Sequence, residues 1–144
     1  MTGLVPYLIC RDASRAVEFY TRVLGARETM RLAEPSGKIG HAELEVAGSL
    51  FMLADEYPDH GALGPRSIGG SPVMLHLHVG DVDAVVARAL SAGAKLLRPV
   101  QDQFYGDRSG QIEDPFGHVW TLSTKMEQLS AAEIQRRFDE LMKR

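Results

Sequence analysis

A single cysteine in 144 residues rules out an internal disulfide framework. Cys10 sits inside the first apolar stretch and reads as a small buried side chain in a reducing compartment. No apolar run approaches membrane-spanning length and no signal-peptide pattern is visible, so a cytoplasmic protein with no membrane partner is expected. Positive charge is not in excess either. Sixteen Lys and Arg against nineteen Asp and Glu give a formal net charge of −3, without a clustered basic stripe, and this argues against a nucleic-acid partner. What remains, 44% apolar and 24% charged residues, is the make-up of a soluble globular chain. Its length suits one compact domain or two small modules sharing a core.

What is present is a repeat. The stretch Q-F-Y-G-D-R-S-G-Q-I-E-D-P-F-G-H-V-W-T-L-S-T, residues 103–124, reads as a strand end, a polar loop over 106–110 and a short strand. A type I turn at Asp114-Pro115-Phe116-Gly117 and a strand over 118–123 follow. Sixty-nine residues earlier E-V-A-G-S-L-F-M-L lies under D-P-F-G-H-V-W-T-L. At the same offset P-Y-L-I-C-R-D ending at Asp12 lies under L-H-L-H-V-G-D ending at Asp81. Landmarks in one order at one spacing predict two copies of one unit.

Each copy reads as strand, helix, then three strands. In the first, an apolar strand over 4–10 precedes a helix capped by Asp12, with Ala16, Val17, Phe19, Tyr20, Val23 and Leu24 on one face and Gly25 as its stop. Strands over 26–32, 41–46 and 50–54 follow. Residues 55–72 hold four glycines and three prolines and read as an irregular linker. The second copy opens with a strand over 73–79, a helix capped by Asp81 or Asp83 and stopped at Gly93, and a strand over 95–99. From Ser130, with Glu133 at capping-box spacing, a final helix is predicted. The expected architecture is α+β: two tandem βαβββ modules (4–54 and 73–124) forming curved mixed sheets around a cavity, in one domain over 1–124, with a helical tail over 125–144.

Two such units carrying these turns resemble the vicinal oxygen chelate superfamily, which includes glyoxalase I, extradiol dioxygenases and fosfomycin- and bleomycin-resistance proteins. Within it, V-P-Y-L-I-C-R-D-A-S-R-A-V-E-F-Y and D-Q-F-Y-G-D-R-S-G-Q-I-E-D-P-F-G-H-V-W are similar to the PhnB-like branch. The resemblance implies a cavity commonly completed across a homodimer. In glyoxalase I, one ligand lies about seven residues before each capping aspartate and another four after each hairpin glycine. Those rules give Val5, Met52, Met74 and Thr121 here. None suits a borderline or hard divalent cation, which takes imidazole or carboxylate. No cofactor is therefore expected at the superfamily's usual metal site.

Strand periodicity indicates what lines the cavity instead. Alternate residues share a face, so Met74, His76 and His78 point one way, toward the concave side, and Leu75, Leu77 and Val79 the other. Val5, Tyr7 and Ile9, then Leu50, Met52 and Ala54, then Val119, Thr121 and Ser123 join the concave set, a mostly apolar bowl with a few polar groups. The candidate ligand-binding residues are Tyr7, Met52, Met74, His76, Tyr105, Arg108 and Thr121. Arg108 is read either as a grip on an anionic group or as a brace with Asp107. Trp120 has the opposite parity and reads as core, and Asp114 as a cap of its own turn. Two functions stay open. One is metal-free binding of a small organic molecule by a homodimer, as in bleomycin resistance. The other is a glyoxalase-like lyase or isomerase using a divalent metal on relocated ligands, His41, Glu43 and His76.

Overall fold

The doubled unit is present. The computed structural model describes residues 3–144, and its strands form two four-stranded mixed sheets of identical topology. The first contains β1 (Tyr7–Cys10), β2 (Arg27–Ala33), β3 (Ile39–Val46) and β4 (Ser49–Asp55) in the order β1-β4-β3-β2. The second contains β5 (Met74–His78), β6 (Lys95–Asp102), β7 (Asp107–Glu113) and β8 (Val119–Lys125) in the order β5-β8-β7-β6. In each, the first and last strands of the unit run parallel and the other neighbours antiparallel. The register repeats as well: Tyr7 lies beside Met52, and His76, sixty-nine residues on, beside Thr121.

Helices α1 (Ala13–Leu24) and α3 (Val82–Ser91) cover one face of their sheets. α1 buries the stripe foreseen from its 3.6-residue spacing: Ala16, Val17, Phe19, Tyr20, Val23 and Leu24. Asp12 and Asp81 cap the two helices as expected, accepting from Arg15 N and Ala84 N. A second cap comes from the last strand of each unit. The Asp55 carboxylate accepts from Ala13 N and Ile39 N, both at 2.7 Å. Sixty-nine residues later Thr124 Oγ1 accepts from Val82 N at 3.0 Å. Each helix start is thereby tied to the strand it packs against.

The two modules share one apolar core. Phe51 and Trp120 meet edge to face with ring centroids 5.9 Å apart, and Tyr20 lies against both. At the centre, Asp114 is fully buried. It caps its own turn, accepting from Phe116 N at 2.9 Å and His118 N at 3.0 Å. It also accepts from Tyr20 Oη at 2.5 Å and Trp120 Nε1 at 2.9 Å. Tyr20 belongs to the first module, so this carboxylate joins the two halves. Arg88 adds a second tie, reaching from α3 to the Val23 carbonyl near the end of α1. His118 Nε2 adds a third, against the Ile9 carbonyl at 2.9 Å.

Three expectations need correction. The polar loop over 106–110 is largely strand, because β7 begins at Asp107, opposite Lys125. Gly110 is not a breaker but a close approach: a Cβ there would stand 2.8 Å from Val100 Cγ2. The linker is not irregular throughout. It carries a 3-10 turn, Pro58–His60, and the short helix α2, Pro65–Ile68. Its glycine Gly64 lies so near β1 that a Cβ would reach 2.7 Å from the Ile9 oxygen. Finally, β1 starts at Tyr7, leaving Val5 ahead of the strand. The tail helix α4 (Ala131–Met142) begins as expected, with Ser130 Oγ accepting from Glu133 N at 3.1 Å. It docks through Phe138 on Phe104 and through Arg137 on Glu127.

Candidate functional site

The faces of the sheets away from the helices carry the polar side chains that strand parity assigned to the concave side. On β5, Leu77 is buried while Met74, His76 and His78 are exposed. On β3, Ala42, Leu44 and Val46 are buried while His41 and Glu43 stay half-open. The core side chains take the helix side because only there do they meet other apolar groups. A pocket of about 510 Å³ opens where the two modules meet, lined by Val5, Leu50, Met74 and His76 and backed by Phe51 and Trp120. A larger hollow of about 710 Å³ lies between α1 and α3, lined in part by Arg15, Arg22 and Arg88. It is on the helix side and touches none of the concave residues.

On the first sheet, a hydrogen-bonded chain crosses the concave face. Tyr7 Oη is 2.8 Å from His41 Nδ1, and His41 Nε2 is 2.9 Å from Glu43 Oε2. Partial burial first, then the nearby Glu43 carboxylate, push the Tyr7 phenol above its ordinary pKa. A carboxylate that orients an imidazole, which in turn meets a hydroxyl, is an arrangement able to move a proton. Met52 lies between its ends, paired in register with Tyr7 on one side and Glu43 on the other.

The second sheet is built differently. Gln111 Nε2 donates to Met74 Sδ at 3.1 Å and to Thr121 Oγ1 at 3.2 Å. An amide donor thus links the two positions of this sheet at which metal-binding relatives would hold their cation. Further along the face, His76 Nε2 lies 2.8 Å and His78 Nδ1 3.2 Å from the buried Ser123 hydroxyl. Asp107 borders them.

Among the remaining candidates, Tyr105 Oη lies 3.4 Å from Ser109 Oγ, at the edge of the second concave face. Arg108 points the other way. It shares parity with the buried Ile112, makes a bidentate pair with Asp83 of α3 at 2.8 and 3.0 Å, and reaches Asp102 at 3.1 Å. These carboxylates raise its pKa and engage its fork, so Arg108 braces strand to helix through Asp83 and Asp102 and not, as expected, through Asp107. His41 and Glu43 come together on the first sheet, whereas His76 stands on the second. Among the described residues, the group whose donor atoms converge is His76, His78 and Asp107. Cys10 is fully buried, and burial holds its thiol far above the ordinary range, so it takes no part in the site. Asp107 was read only as a partner of Arg108, and Ser123 only as one of the concave set, so neither was singled out as a binding residue. Only the register of β7 and β8, set by contacts between strands, reveals the first.

Comparison with known proteins agrees with this fold. A family model described as the Glyoxalase/Bleomycin resistance protein/Dioxygenase superfamily matches residues 4–122. An uncharacterized protein of Mycobacterium tuberculosis is 42% identical over 136 residues, spanning 92% of this chain and 80% of that one. Among solved structures, TioX from Micromonospora sp. ML1 superposes with a TM-score of 0.67 at 30% identity, covering 88% of this chain and all of that one. The PhnB protein from Bacillus cereus gives a TM-score of 0.69 over 85% of this chain and 99% of its own, and at 19% identity the likeness is one of fold.

Proposed function

The chain belongs to the Glyoxalase/Bleomycin resistance protein/Dioxygenase superfamily, and from that premise we propose that it binds a small organic molecule against its concave faces. The observation that carries this reading is the character of those faces. Apolar side chains that adapt in shape, Met52 and Met74, stand beside a few fixed polar groups, Tyr7, His41, Glu43 and Gln111. That is the composition of a small-molecule site. The reading calls on no cation at the superfamily's usual positions. Val5, Met52, Met74 and Thr121 do not fit one, and Gln111 bonds to two of them. A thermal-shift panel of aromatic and heterocyclic metabolites, with bleomycin included, tests it. At least one saturable stabilising ligand is expected, and a panel without any would count against the proposal.

A second copy of the chain belongs to the same reading. Both concave faces are open in one chain: Met74 is 59% exposed, and Tyr7, Met30 and Leu32 are exposed as well. Apolar surface of this kind is covered in a stable assembly, and a homodimer would close each bowl over its ligand. Light scattering on the eluting protein is expected to give twice the 15.8 kDa chain mass; a monomer at micromolar concentration would remove this part.

One observation favours a catalytic version. The Tyr7–His41–Glu43 chain has the parts of an acid–base relay, as a glyoxalase-like lyase or isomerase would need. Turnover of a glutathione hemithioacetal, lost in His41→Ala, would move the assignment from binding to catalysis.

A further inference from the structure

We propose that the second sheet carries a site for a divalent transition-metal ion of the zinc class, held by His76, His78 and Asp107. It shares no residue with the positions at which the resemblance places a metal. His76 and His78 stand two apart on β5, so the pleat aims both rings to one side, and their centroids are 4.9 Å apart. The donor atoms of these two residues and of Asp107 all lie within 4.8 Å of one another. Metal bonds of about 2.0–2.2 Å set neighbouring donors roughly 3 Å apart, and the exposed imidazoles need only turn inward to reach that spacing. Ser123, fully buried, already bonds to Nε2 of one ring and Nδ1 of the other. It thereby draws the two rings together, and where those bonds persist the other nitrogen of each ring, His76 Nδ1 and His78 Nε2, is the one left for an ion, as with outer-shell partners at metal sites.

The second, independent observation is Asp107. It is 8% exposed, and among the described residues its carboxylate has neither a hydrogen-bond donor nor an ion-pair partner. No fully sealed side-chain oxygen lacks a partner among the described residues, so this carboxylate keeps a narrow opening onto the concave face. A carboxylate withdrawn from water without a donor is costly, and a cation in that opening would satisfy it. Asp114 shows the contrast: withdrawn completely, it is met by four donors. Two imidazoles and one carboxylate select zinc, cobalt, nickel or iron over magnesium or calcium. Three protein ligands leave a coordination position open toward the bowl.

The inference goes beyond the binding proposal and is tested without any organic ligand. Tag-free protein, stripped with a chelator, is titrated with Zn²⁺ by calorimetry and with Co²⁺ by visible absorption. About one ion per chain is expected. His78→Ala and Asp107→Asn are each expected to weaken binding at least about tenfold, the scale for loss of a metal-site group, while His41→Ala leaves it unchanged. His78 is exposed, so its replacement tests the site even if Asp107→Asn compromises folding. No saturable binding, binding unaltered in His78→Ala, or binding lost in His41→Ala would each overturn the site. None of these outcomes bears on the metabolite panel, so the two proposals fail separately.

Discussion

Replacing Asp114 by Ala is expected to cost about 3–5 kcal/mol of folding stability, the scale seen when one partner of a buried charged network is removed. The reason is the number of groups left behind. Without the carboxylate, Tyr20 Oη, Trp120 Nε1, Phe116 N and His118 N all lose their acceptor. A buried donor left unpaired costs about 1–3 kcal/mol. Partial collapse, and the relief of a desolvated charge, keep the total below the sum. Native domains hold about 5–15 kcal/mol in all, so the variant should unfold at a much lower denaturant midpoint. Asp114→Asn should fall between. Its oxygen can still cap the turn at Phe116 and His118, but its amide nitrogen then faces the Trp120 N–H, donor against donor. A midpoint shift in the Ala variant worth under about 1 kcal/mol, read with an unchanged slope, would show that this carboxylate does not join the modules.

Half of that hub was legible from the sequence. D-P-F-G announced a turn, and an aspartate at its first position bonds its own backbone; the parity of Trp120 against Thr121 placed the indole in the core. The partner Tyr20 lies ninety-four residues away, and no local pattern specifies a contact of that range. The repeat itself was readable because turn glycines and capping aspartates answer to local backbone demands, which recur with the unit. Gly48 has φ 79° and follows Ala47 at φ 51°. These values belong to the two-residue hairpin turn that matches strand twist.

The site was harder to read for a related reason. Gly106 and Gly110 suggested a loop, but Gly110 is there to let Val100 approach. Once β7 is seen to start at Asp107, the parity of everything after it is fixed. Arg108 turns to α3, Ser109 and Gln111 turn to the bowl, and Asp107 comes beside two histidines some thirty residues earlier. The Tyr7–His41–Glu43 chain was split in the same way. Tyr7 was placed on the concave side by its own strand, whereas the facing of His41 and Glu43 depends on how β3 pairs with β4.

Met52→Arg is expected to weaken any ligand found in the metabolite panel by at least about a hundredfold, near 2.8 kcal/mol at 1.4 kcal/mol per decade. Met52 is half-buried at the middle of the first concave face, with Tyr7 and Glu43 as its register neighbours. An arginine there does two kinds of damage. It sets a charge where an apolar ligand surface would rest, and desolvating that charge opposes binding. Its guanidinium also competes for the Glu43 carboxylate, a fork-shaped match, which draws Glu43 away from His41. Folding should be little affected, since a long side chain at a half-open position can extend its charged head into water. Met126→Arg, at an exposed position beyond β8, adds the same charge away from both faces and should bind as the parent does. If Met52→Arg and Met126→Arg bind the ligand equally well, the first concave face is not where the molecule sits.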